Sequence, residues 1–281
     1  MAPRSRRWLA LLTLVFLVPP AASVADQDLP FLLDLPVTPE RVAAVRYTPG
    51  SLDRASHVQD RYSLLASDFG RWGRAKLPLL VILLSREDWN RIGVRLPYGF
   101  PVRLPNGTVM LAAWGDSGTV ELWRHLLAEG LPVIEGTPIR GTPDEAASLV
   151  LTDLLGQIEA ARGLLARGGF GSPQPRIDDF MAHTLALSAV LNHDRPRLEL
   201  LDSVFRQLEK APTEIPGAEP ALGGWLRSQG DAYRAARTLA AKRGNVSAKL
   251  LLKLARKGGG SVSAADLRKR FPELGLWLDT L

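Results

Sequence analysis

The sequence predicts an α+β protein in which a small mixed sheet is followed by a mostly helical C-terminal region. Three observations lead there. Branched apolar runs and turn signals cluster between residues 42 and 113. A strong helix start, Thr142-Pro143-Asp144-Glu145, follows them, and from there to the end apolar residues recur mainly at helical spacing.

In chain order, residues 42–47 read as a short strand closed by Pro49-Gly50. Residues 52–69 place Ala55, Val58, Tyr62, Leu65 and Phe69 on one helical face. Residues 77–84 (LPLLVILL) are continuously apolar, the pattern of a mid-sheet strand buried on both sides. Ser85, with Asp88 three positions on, caps a short helix over 85–92. Asn106-Gly107 is a hairpin signal with arms at 102–104 and 108–113, and residues 118–129 read as helix. At 142–145, Thr is the N-cap, Pro takes the first position and Glu the third. That helix runs to about residue 166, where Gly168-Gly169 stops it. Helices are expected over 177–191, 197–208, 231–242, 247–256 and 264–271, with a last turn around Trp277. The stretch 213–224, rich in Pro and Gly, reads as a linker between a domain at 26–212 and a basic helical region at 213–281.

The N-terminus predicts export. Arg4, Arg6 and Arg7 precede an apolar run at 8–18 (WLALLTLVFLV), which is too short for a membrane-spanning helix of about 20 residues. Pro19-Pro20 ends it, and Ser23-Val24-Ala25 offers small residues to a signal peptidase. Residues 1–25 are therefore expected to be a signal peptide, with an uncleaved anchor as the alternative. The mature chain is expected in the periplasm or secreted, with no transmembrane span. The chain has no Cys, which excludes disulfides, thiolate metal sites and cysteine nucleophiles.

The net charge of +6 is unevenly spread. From Arg227 onward twelve Lys/Arg face four Asp/Glu, and residues 26–226 are net acidic. A basic tail suits an anionic surface or an acidic partner. Aromatic residues are not interleaved with these charges, so nucleic acid is not an expected partner.

The long helix carries Thr152-Asp153-Leu154-Leu155-Gly156-Gln157-Ile158, and the next one Arg176-Ile177-Asp178-Asp179-Phe180-Met181-Ala182. With the strand and helix order before them, these resemble the zincin fold of secreted metallopeptidases, in its gluzincin-type, peptidase MA-like branch. The resemblance covers residues 40–195. In that family one helix bears His-Glu-x-x-His, whose histidines bind Zn²⁺ and whose Glu activates the bound water. A Glu on the following helix is the third ligand. Laid on this pattern, Asp153 and Gln157 occupy the two histidine positions and Leu154 that of the general base. Asp179 stands where the third-ligand Glu would be, 22 positions after Gln157.

The resemblance thus implies the frame of a metallopeptidase without its chemistry. Zn²⁺ prefers nitrogen and sulfur donors, and Leu154 cannot accept a proton. Zinc is not expected, although Asp153 and Asp179 are candidates for weak binding of Ca²⁺ or Mg²⁺. His57, His125, His183 and His193 form no His-x-x-x-His pair. His57 reads as a surface residue, and His183 shares a helix face with Asp179. The expected function is non-catalytic binding or scaffolding of a peptide or protein. The family's peptide-holding edge strand is expected here at Thr108, Val109, Met110, Leu111 and Ala112. Two alternatives stay open: an active hydrolase whose site is not visible in sequence, and a helical adaptor docking through its basic tail. The long helix could also be an ordinary amphipathic one, with Asp153 and Gln157 facing solvent.

Overall fold

A computed structural model describes residues 29–39, 41–73, 76–93, 96–132, 141–215 and 221–281. The expected signal segment lies outside the described residues. The elements are α1 (Leu29–Leu33), β1 (Ala43–Tyr47), α2 (Leu52–Gly73), β2 (Leu79–Leu84), α3 (Arg86–Ile92), β3 (Val102–Arg103), β4 (Val109–Ala112) and α4 (Ser117–Leu126). They continue with α5 (Pro143–Arg167), α6 (Pro175–His193), α7 (Leu198–Leu208), α8 (Ala221–Arg243), α9 (Ser247–Lys257), α10 (Ala264–Arg270) and α11 (Gly275–Leu278). The class is α+β with a mostly helical C-terminal region.

The sheet has the order β1-β2-β4-β3. β1, β2 and β4 are parallel, and β3 runs antiparallel to β4 with Val102 opposite Met110. The 77–84 run supplies β2, paired on both sides as its composition implies. Its alternate residues feed two cores. Leu79, Val81 and Leu83 join α2, α5 and the C-terminal helices, whereas Ile82 and Leu84 meet Trp89, Tyr98 and Leu32 on the other face. The Asn106-Gly107 hairpin forms, with Gly107 at φ 84° and the Asn106 side chain accepting from the Thr108 amide at 2.9 Å.

α2 buries the stripe Ala55, Val58, Tyr62, Leu65 and Phe69. Thr142 and Glu145 close a reciprocal capping box at the start of α5. Helix α5 is buried along nearly its whole length, as befits a helix lying between the sheet and a helical layer. It turns through Gly169 (φ 71°) into α6, which runs back antiparallel. One apolar cluster extends from Ala43 in β1 to Leu278 in α11, so the basic C-terminal helices share the core of the sheet domain. The expected linker at 213–224 is partly helix: α8 begins at Ala221 and includes Gly223 and Gly224.

Candidate functional site

Asp153 lies on α5 facing α2, with 1% of its surface exposed. Its carboxylate takes a two-pronged grip from Arg54, with Nη2 donating to Oδ1 at 2.8 Å and Nη1 to Oδ2 at 3.1 Å. Arg54 is itself 4% exposed, and its Nε donates to the Ala112 carbonyl at 2.9 Å. One guanidinium therefore ties α2, the end of β4 and α5 together. Planar, bidentate pairing of this kind is what lets an ion pair exist in a dry interior. Where the zincin pattern carries its first metal ligand, this chain carries a carboxylate already neutralised by a resident cation.

The other motif positions part company. Leu154 is packed in the apolar core. Gln157 is 8% exposed and borders a cavity of about 30 Å³ with Arg61, Ala186, Ala189 and Arg197. Asp179 pairs with Arg162 and accepts from Gln229 Nε2 at 3.2 Å. Arg162 stands nine residues beyond Asp153 on α5, about 13 Å along the helix axis. Asp153, Gln157 and Asp179 thus do not converge, and Asp153 and Asp179 share no cation site. The reason is the hairpin. Ten residues of α5 follow Gln157, so α6 must run about as far before it comes level again, and the residues it presents there are Ala186, Ala189 and Val190. Among the described residues no group of three or more His, Asp or Glu side chains is placed to hold a metal ion. Nor do Asp153 and Gln157 face solvent, as an ordinary amphipathic α5 would have them.

The expected edge strand is also corrected. β4 lies inside the sheet between β2 and β3, and all four of its residues are buried. Among the described residues the unpaired edge is that of β3, because the hairpin folds its first arm outward.

Around Asp153 the charge is lopsided. Arg197, in the turn Arg195–Arg197 before α7, feels the charge of Asp153 and also that of Arg61 on α2. Arg197 is 7% exposed, and burial, helped by Arg61, depresses its pKa to about 10. Its Nε and Nη2, together with Arg61 Nη1 and His57 Nε2, are buried atoms without a hydrogen-bond partner among the described residues. His57 is thus half-buried and not a surface residue, and burial and the Arg61 guanidinium lower its pKa. Sequence reading missed Arg54, Arg61 and Arg197. The spacing of Arg54 and Arg61, seven apart on one face and beside the apolar stripe of α2, was the available signal.

A second polar network lies one helix face away. Arg162 bridges Glu159 and Asp179, and Arg103 Nε reaches Glu159 at 3.2 Å. Gln229 on α8 joins Asp179 to His183: its Oε1 meets His183 Nε2 at 3.1 Å. His183 does not touch Asp179 directly. It is fully buried against Phe205 and Tyr233, and burial, then Arg162, lower its pKa to about 3, so the ring is neutral. Burial raises Asp179 despite Arg162. Each carboxylate here is engaged, so the network reads as a fastening of α5, α6 and α8.

Four basic residues of the tail gather at one place. Lys249, Lys253, Arg256 and Lys257 of α9 join Arg71 and Trp72 of α2 around an open cleft of about 540 Å³. Arg256 Nη1 anchors the α9 side by donating to the Trp72 carbonyl at 2.8 Å.

No known protein family, curated protein or solved structure matches this chain. The site must be read from its own chemistry.

Proposed function

We propose that the chain is an exported, zincin-like protein whose metallopeptidase site has decayed, leaving a non-catalytic role in binding or scaffolding a peptide or protein. The observation that carries this reading is the Arg54–Asp153 pair. The carboxylate at the resembled family's first ligand position is held by a guanidinium, and apolar Leu154 stands where a base would have to be. The mixed sheet with one antiparallel edge strand supports the same frame. An extended partner that added to the sheet would do so along β3. A peptidase assay on a mixed peptide library, with and without added Zn²⁺, tests the reading. The expected result is no cleavage in either condition, and zinc-stimulated cleavage would overturn it. Export is tested separately by N-terminal sequencing of the mature protein, expected to begin near Asp26.

The basic cleft favours a second reading, in which the C-terminal helices dock the protein on an anionic surface. Deleting those helices would not test it, because Leu226, Leu239, Leu251 and Leu252 belong to the common core. The variant Lys249→Glu/Lys253→Glu/Lys257→Glu leaves the core intact. It should lose sedimentation with phosphatidylglycerol vesicles if the cleft docks there, and equal sedimentation of parent and variant would dismiss the reading.

A further inference from the structure

The cavity bordered by α2, α5, α6 and the turn Arg195–Arg197 carries more cationic hydrogen-bonding capacity than the protein uses. Both oxygens of Asp153 are taken by Arg54. His193, at the rim, is engaged with Asp68 at 3.1 Å. Asp194, which also lines the cavity, makes no ion pair among the described residues, although its charge and that of Asp153 favour the charged form of Arg197. Arg61 and Arg197 line the cavity, and three of their nitrogens are buried with no acceptor among the described residues. Buried donors of charged groups are among the costliest groups to leave unmade, and a chain that places two such side chains at one cavity is built to receive an acceptor.

We infer that this cavity binds a carboxylate carried on an apolar body. Size and lining select the class. A volume of about 30 Å³ exceeds what a single water requires. Guanidinium donors match a carboxylate edge two at a time. Apart from the Gln157 amide, the remaining wall is Leu65, Ala186, Ala189 and Val190, and Leu64, 41% exposed, also lines it. An apolar group attached to the carboxylate would cover that leucine. The inference stands on the unpaired guanidiniums and does not depend on the zincin-like frame.

The experiment is isothermal titration of the intact protein with N-acetyl-leucine, with N-acetyl-leucinamide as the neutral twin and sodium chloride as the simple anion. The acid should bind saturably at one site, and neither the amide nor chloride should reproduce its heat. Arg197→Gln and Arg61→Gln should each weaken the acid roughly tenfold or more, the effect of one charge-assisted hydrogen bond. Arg197→Gln should also melt no lower than the parent without ligand, which a structural arginine would not allow. Arg61 is only half-buried, so its variant keeps the test open if Arg197→Gln fails to fold. No binding of the acid, equal binding of the amide, an equal response to chloride, or parent-like affinity in the folded variants would each overturn the inference.

Discussion

Replacing Asp153 by Ala puts the most weight on the Arg54–Asp153 pair. The substitution removes two charge-assisted hydrogen bonds and leaves a guanidinium that is 4% exposed with one acceptor, the Ala112 carbonyl. Losing one partner of such a pair costs about 3–5 kcal/mol, because the surviving charge stays buried without compensation. For a protein of this size each kcal/mol moves the melting point by about 2–4 °C, so a drop of about 10 °C is expected. The paired replacement Arg54→Met/Asp153→Leu removes both charges and keeps the volume. It should recover most of the loss, short only of the about 1 kcal/mol that the Ala112 carbonyl forfeits with its donor. Urea denaturation of the parent, the single variant and the double variant measures all three. If Asp153→Ala unfolds within about 0.5 kcal/mol of the parent, a range ordinary for surface changes, the pair is not the buried tie described here.

Three further outcomes follow from the same geometry. Gly156→Ala should destabilise the protein although alanine favours helix by about 1 kcal/mol, because a Cβ there would come within 2.3 Å of the Tyr62 hydroxyl and 2.6 Å of a Leu111 methyl; a raised melting point would contradict the packing of α5 on α2 and β4. His183, neutral with a pKa of about 3 when folded and 6.5 when unfolded, makes the unfolded chain bind the extra proton between those values, so stability falls as pH drops below 6.5. The loss should be about 2 kcal/mol between pH 7 and 5 and smaller in His183→Leu; equal losses in the two proteins would sink it. Finally, in a variant carrying Asp153→His and Gln157→His, adding Asp179→Glu should not raise zinc affinity, since residue 179 sits with Arg162; a tenfold gain in a chelator competition would place it at the site after all.

Much of the fold was legible in the sequence because local chemistry fixed it. The run at 77–84 could only be a strand covered on both sides, the Thr142 capping box set the start of α5, and Asn106-Gly107 set the hairpin. The failures are tertiary. Reading Gly223 and Gly224 as a linker ignored that a glycine can serve close approach: a Cβ on Gly223 would lie 2.2 Å from the Pro212 carbonyl, and one on Gly230 would strike α7 near Glu209. Naming 108–112 as the edge strand required knowing which way the hairpin folds, which no local signal records. At the site, a gap of 22 residues looked right for a third ligand, but whether two positions meet depends on the lengths of both helices and the loop between them. Arg54, Arg61 and Arg197 escaped notice because arginines beside an apolar stripe ordinarily extend to solvent. Only the packing of α2 against α5 and the turn before α7 turns them inward.

The most direct test of the central claim is the metal content of the protein purified from zinc-replete medium without chelators, read by inductively coupled plasma mass spectrometry. With Arg54 supplying the charge at Asp153 and no imidazole at position 157, zinc should be far below stoichiometric and should wash out on dialysis. Stoichiometric zinc that survives dialysis would contradict the account, because the motif helix would then be holding a metal although its carboxylate is held by the guanidinium.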